Sequence, residues 1–253
     1  HKDNNVSGEE LLSFADTACI VAKESGRDKV HEYSTDMHIN SIYERELFWV
    51  NEVNRALTED SFELYFQHYR PLNKSDDHDY YEIFVRLITE DGNLTLPGFF
   101  MPAAERHNLS NKIDKWVIEN YFVWLNTNSE FLDKLARCNI NITGTSLSDD
   151  DFQFFLLNVF EKYHIPHQKI CFEITETAAI INMNDTIRFI KQFKRLGCTF
   201  ALDDFGSGFS SYRYLKNLPV DYVKIDGNFI RNILTDPIDL AMVTSIRDVA
   251  GAM

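Results

Sequence analysis

KICFEITETAAIINMNDTIRFIKQFKRLGCTFALDDFGSGFSSYRYLKNLPVDYVKID, residues 169–226, alternates strand-like and helix-like patterns. KICFEIT (169–175), CTFALDDFG (198–206) and VDYVKID (220–226) are short apolar runs rich in β-branched and aromatic residues. Between the first two, Ile187, Ile190 and Phe193 recur at helical spacing, and Gly197 supplies a stop. Towards the N-terminus, RCNINIT (137–143) reads as another strand. A helix follows from Ser148, whose side chain is expected to cap it with Asp151 three residues on. That helix sets Phe152, Phe155, Leu156, Val159, Phe160 and Tyr163 on one face. Earlier still, ELYFQHYRPL (63–72) and YYEIFVRLI (80–88) flank the polar NKSDDHD and read as a β-hairpin with a longer loop. Alternating strands and helices require parallel strands with helices outside, in a doubly wound sheet or a barrel. The expected fold is an α/β modified TIM-type (β/α) barrel with an antiparallel first strand. The barrel is preferred because polar and acidic residues gather at the C-terminal strand ends, the functional face of such barrels.

Those strand ends carry Glu82, Asn141, Glu173, Asp203 with Asp204, and Lys224 with Asp226. Taken singly, each has an ordinary explanation, since Asp and Asn often cap helices after strands. The period of two sharpens the case: Glu173 shares a face with Cys171 and Thr175, while Ile170, Phe172 and Ile174 face the helices. A carboxylate inside an apolar barrel is costly unless paired or bound to metal. Asp203 and Asp204 repel one another, and a divalent cation offsets that repulsion. Oxygen ligands without nearby His or Cys favour Mg²⁺ or Mn²⁺ over Zn²⁺, and a two-ion centre suits phosphodiester hydrolysis. His164 and His167 fall in a helix-to-strand loop at the opposite end and are not expected to ligate. Gly206 and Gly208 lack the full dinucleotide-binding pattern, and their loop reads as a segment positioned beside the metal site.

The 253 residues are 44% hydrophobic, enough for a substantial core. A net charge of −14 argues against binding a DNA or RNA polymer, so an anionic ligand needs a focused basic cleft or a cation. No stretch approaches the roughly 18 consecutive apolar residues of a membrane span. A cytoplasmic location is expected, with any membrane link arising upstream. Cys19, Cys138, Cys171 and Cys198 form no C-x-x-C pair and read as buried reduced thiols.

The string DDFGSGFSSYRYLKNLPVDYVKID, with FEITET, INITGTSL and YYEIFVRL, resembles the EAL family of cyclic di-GMP phosphodiesterases across residues 60–253. By position, the resemblance implies that Glu82, Asn141, Glu173 and Asp203 bind one metal ion and that Asp203 and Asp204 serve a second. It implies that Lys224 orients the attacking water, Asp226 supports that lysine, Arg86 and Gln67 contact substrate, and Glu176 holds the 204–211 loop. The implied catalytic set is Lys224, Glu173, Asp203 and Asp204. The implied reaction is hydrolysis of cyclic di-GMP to linear pGpG, with a catalytically inactive cyclic di-GMP receptor as the alternative and a homodimer as the expected assembly. Two positions depart from the pattern: Glu82-Ile83-Phe84 replaces the naming triplet, and His68 stands where a proline is usual.

Residues 9–25 place Leu12, Ala15, Cys19 and Ala22 on one helical face before Gly26. With Asp16, Ala18, Lys23, Arg27 and Val30, this run resembles the closing helix and strand of a GGDEF domain, departing at Cys19 and Ile20. The expected organisation is a GGDEF remnant at 1–35, a linker helix at 36–59, seen in the spacing of residues 42–58, and an EAL domain at 60–253. A sixth helix, marked by Ile238, Met242, Ile246 and Val249, ends near Met253. The resemblance therefore implies that the seventh and eighth strands, with a further glutamate, lie outside this sequence.

Overall fold

The computed structural model describes residues 35–72, 78–206 and 212–253. The chain divides into two compact units, His1–Asn51 and Glu52–Met253, and the sheet with its helices belongs to the second. The run compared with a GGDEF domain lies outside the described residues. The strands are β1 (Phe62–Tyr69), β2 (Asp79–Ile88), β3 (Leu94–Thr95), β4 (Leu135–Asn141), β5 (Ile170–Thr175), β6 (Thr199–Phe205) and β7 (Tyr222–Ile225). The helices are α1 (Thr35–Glu59), α2 (Pro97–Arg106), α3 (Ser110–Thr127), α4 (Ser129–Lys134), α5 (Gly144–Leu147), α6 (Asp150–Tyr163), α7 (Glu176–Ile181), α8 (Met183–Leu196), α9 (Tyr212–Leu215), α10 (Gly227–Arg231) and α11 (Pro237–Gly251).

The sheet runs β1-β2-β4-β5-β6-β7, with the short β3 beside β2. β1 pairs antiparallel with β2, and every later pair along the path is parallel. With the helices following the strands, this topology is that of a modified TIM-type α/β barrel. Helix-facing residues of the parallel strands build the core. Phe172 and Phe200 of the sheet meet Phe189 of α8, and Phe172 also meets Phe160 of α6, all fully or almost fully buried. Burying one such side chain stabilises the fold by about 1.5–3 kcal/mol.

Local signals explain the helix ends. α8 begins near Asp185, finishes with Lys194 and Arg195, and closes on Gly197 at φ 110°; the charges complement the helix dipole and glycine tolerates the left-handed turn. α6 corrects the sequence reading of its start. Asp149, not Ser148, accepts the amide of Asp151 at 2.8 Å, while Ser148 turns back to the Thr145 carbonyl. A carboxylate is a stronger acceptor than a hydroxyl, and Ser148 is already the closing residue of α5. His164 ends α6 in the left-handed region, and His167 stacks on Phe160 at 4.3 Å, which accounts for both histidines. α1 is longer than its apolar spacing suggested. On α11 only Ile246 of the expected apolar stripe is buried, while Ile238 and Met242 are exposed. Cys138, Cys171 and Cys198 are free and buried, and burial pushes the thiols of Cys171 and Cys198 up to about 12. Among the described residues no helix is long and apolar enough to cross a membrane.

Candidate active site

Parallel strands with a common direction bring their C-terminal ends to one side, and the side chains on the inner face converge there. Carboxylate oxygens of Glu82 (β2), Glu173 (β5) and Asp203 (β6) all lie within 4.8 Å of one another. Lys224 of β7 points into this cluster. Its Nζ donates to Glu173 Oε2 at 2.5 Å and Glu82 Oε2 at 3.0 Å, and lies 3.2 Å from Asp203 Oδ1. Asn141, at the end of β4, donates to Glu82 Oε1 at 3.0 Å.

The electrostatics follow from burial and proximity. Burial pushes the Glu173 carboxyl up to about 7 against the pull of Lys224, and Glu82 adds to the rise. Burial acts the same way on Glu82, but hydrogen bonds from Tyr69 and Asn141 and the charge of Lys224 hold it below the usual carboxylate range. Burial works against the Lys224 ammonium, yet the surrounding carboxylates raise its proton affinity well above the ordinary value. Such opposed shifts at one point are characteristic of functional sites.

Asp203 and Asp204 reach the same end through an irregularity. The β6–β7 register shifts between Leu202 and Phe205, and Asp204 has φ 54°. In a regular strand two consecutive side chains oppose each other; a bulge relaxes that rule. The Asp204 carboxyl is raised by burial, then by Asp203 and Asp226, so all three share one field. Aspartate is among the few residues that tolerate the left-handed region, and such outliers gather at functional sites.

The remaining candidate residues separate. Glu176 accepts the Gly206 amide at 2.9 Å and the Tyr214 hydroxyl, tying both flanks of the segment after β6. Gly206 is required: at φ 101° a Cβ would stand 2.7 Å from Phe229. Asp226 caps α10 through the Asn228 amide at 2.7 Å; the resemblance assigns it the support of Lys224. Arg86 lies outside the cluster, its guanidinium over the rings of Tyr65 at 5.4 Å and Phe84 at 5.6 Å. Gln67 is exposed and pairs in register with Glu82. A cavity of about 600 Å³ adjoins this end, lined in part by Phe84, Pro97, Met101, Asn141, Thr143 and Thr175.

Three residues escaped the sequence reading. The Tyr69 hydroxyl donates to Glu82 and lies 3.3 Å from Glu173 Oε1. Asn139 is buried and donates to Glu173 Oε1 at 2.5 Å, its own side-chain carbonyl held by Arg137 Nε at 3.1 Å. Asp114 of α3 is buried, and one of its oxygens accepts the Thr143 amide at 2.9 Å and the Thr143 and Ser146 hydroxyls at 2.7 Å, fixing the loop that follows Asn141. Asn139 carried a signal, since two residues from Asn141 it shares that strand face.

The donor set suits a hard divalent cation: three carboxylates, with no thiolate or imidazole in the cluster among the described residues. The sequence profile of the EAL domain matches residues 50–253. The chain is 40% identical over 250 residues to cyclic di-GMP phosphodiesterase PdeB of Shewanella oneidensis, covering 98% of this chain and 29% of that protein. It is 33% identical over 210 residues to cyclic di-GMP phosphodiesterase PdeF of Escherichia coli, covering 83% of this chain and 28% of that one. The chain thus spans under a third of the length of these curated relatives. Among solved structures, the FimX EAL domain of Pseudomonas aeruginosa bound to c-di-GMP superposes with a TM-score of 0.71 at 26% identity, covering 79% of each chain.

Proposed function

The chain belongs to the EAL domain family, and from that footing we propose that residues 60–253 are the part present here of a metal-dependent phosphodiesterase domain that, in the intact protein, hydrolyses cyclic di-GMP to linear pGpG. The observation that carries this reading is the convergence of Glu82, Glu173 and Asp203, from three strands of the sheet, on Lys224 of β7. Glu82, Asn141, Glu173 and Asp203 would hold one Mg²⁺ or Mn²⁺, and Asp203 with Asp204 a second. Bound there, the ions supply an activated water at neutral pH and neutralise charge on the phosphoryl oxygens.

The side chains supply the rest. Lys224 keeps its proton, and with the ions bound its Nζ would orient the attacking water. Arg86 lies on the same face of β2 as Glu82, four residues along. From there its planar fork would take a substrate phosphate, with Gln67 on the facing strand. Glu176 steadies the segment after β6. In a chain of net charge −14, these local cations are what admit an anionic substrate.

The same proposal assigns residues 1–35 to a GGDEF remnant and 36–59 to a linker helix, in a cytoplasmic homodimer. Turnover by the intact protein with Mg²⁺ or Mn²⁺, followed as pGpG release, tests the activity. Metal-dependent release is expected; cyclic di-GMP binding without release under either ion would make the domain a receptor.

A further inference from the structure

Glu82 and Glu173 come from strands that are not neighbours, because β4 runs between β2 and β5. Two side chains bridge them. Lys224 does so from β7, at 3.0 and 2.5 Å. Tyr69, the last residue of β1, does so from the opposite end of the sheet path, with its hydroxyl on Glu82 and on Glu173 Oε1. Tyr69 lies opposite Tyr80 in the antiparallel ladder, two residues before Glu82, so the β1–β2 register carries its ring towards the cluster.

Resting on the metal-dependent reading above, we propose that Tyr69 is a positioning residue of the metal centre, its hydroxyl setting the spacing and rotamers of Glu82 and Glu173. The physical reason lies in its charge. An ammonium among the carboxylates is repelled when a divalent cation takes the same oxygens, so Lys224 cannot both hold the glutamates and admit the ion. A phenol hydroxyl is neutral and is not repelled by an ion: the lone pair of Glu82 Oε2 and the Glu173 Oε2 oxygen that now face Lys224 could pass to the ion while Tyr69 stays beside Glu82 and Glu173 Oε1. Free glutamate side chains would lose rotamer entropy on ordering. Tyr69 and Asn139 impose that order beforehand. Hydrogen-bond partners of metal-ligating side chains typically govern about 10- to 100-fold in metal affinity.

The test compares wild type with Tyr69→Phe in the intact protein, titrating Mn²⁺ without substrate by electron paramagnetic resonance. Steady-state hydrolysis of cyclic di-GMP is then measured over a Mn²⁺ series. Loss of the hydroxyl is expected to weaken Mn²⁺ binding about tenfold or more. KM for cyclic di-GMP should stay unchanged and kcat should be restored at saturating Mn²⁺. The melting temperature without metal should hold, because the ring remains. A variant that binds Mn²⁺ as tightly as wild type, or more tightly, overturns the proposal. Wild type that binds no Mn²⁺ overturns it together with the metal reading. Wild type that binds Mn²⁺ without hydrolysing cyclic di-GMP defeats the phosphodiesterase reading alone, and the Mn²⁺ comparison still decides the role of Tyr69.

Discussion

Replacing Asp114 with asparagine should change how stability depends on pH. The carboxyl is fully buried between α3 and the loop after β4, and burial pushes it up to about 6 from an ordinary 3.8, against hydrogen bonds from Ser146 and Thr143 that favour the ion. Because the folded carboxyl holds its proton more tightly than the unfolded one, its contribution is full below pH 3.8 and is lost as pH rises through about 6. The whole effect is about 3 kcal/mol, of which about 2 kcal/mol falls between pH 4 and 7. Asparagine keeps an acceptor of similar shape but does not titrate. Urea unfolding of wild type and Asp114→Asn across that range cancels the titration of other groups in the difference. The variant should gain about 2 kcal/mol relative to wild type on going from pH 4 to 7. A difference that stays constant with pH would show that Asp114 does not change protonation between the folded and unfolded states across this range.

Arg86→Ala should raise KM for cyclic di-GMP by about tenfold or more while Mn²⁺ affinity is retained, since the proposed partner of the guanidinium is a substrate phosphate; parallel steady-state kinetics and Mn²⁺ titration check this. Gly206→Ala should lower the melting temperature and reduce kcat, because its Cβ would stand 2.7 Å from Phe229 at a backbone φ of 101° and displace the amide that binds Glu176; calorimetry and a turnover assay read both effects.

The strands were legible because their runs are short, apolar and bounded by polar residues, and because β-branched and aromatic residues fit a pleated surface. The cluster was legible for a related reason: Glu82, Glu173, Asp203 and Lys224 interrupt apolar strand-like runs, where charge calls for a partner. Tyr69 was not legible. In FELYFQHY a tyrosine reads as one more amphipathic strand residue, and only the β1–β2 register reveals that its hydroxyl reaches two glutamates. Asp114 was hidden because its partners, Thr143 and Ser146, lie about thirty residues away and the helix around it looks ordinary. The Ser148 cap failed on a one-residue choice between two good capping residues, settled by the carboxylate. The short β3 carries no pattern of its own and exists through its pairing with β2.

On the proposed function, the carboxylates around Lys224 perform metal-dependent hydrolysis of a cyclic dinucleotide. The most direct test is the rate of pGpG release from cyclic di-GMP at saturating Mn²⁺ by the intact protein and by its Glu173→Gln variant. Glu173 is buried, bonded to Lys224 and Asn139, and part of the cluster fit for an ion. The amide keeps its shape and removes its charge. Wild type should release pGpG steadily and the variant at least about a hundredfold more slowly. Equal rates from the two proteins would exclude Glu173 and its cluster from the hydrolysis.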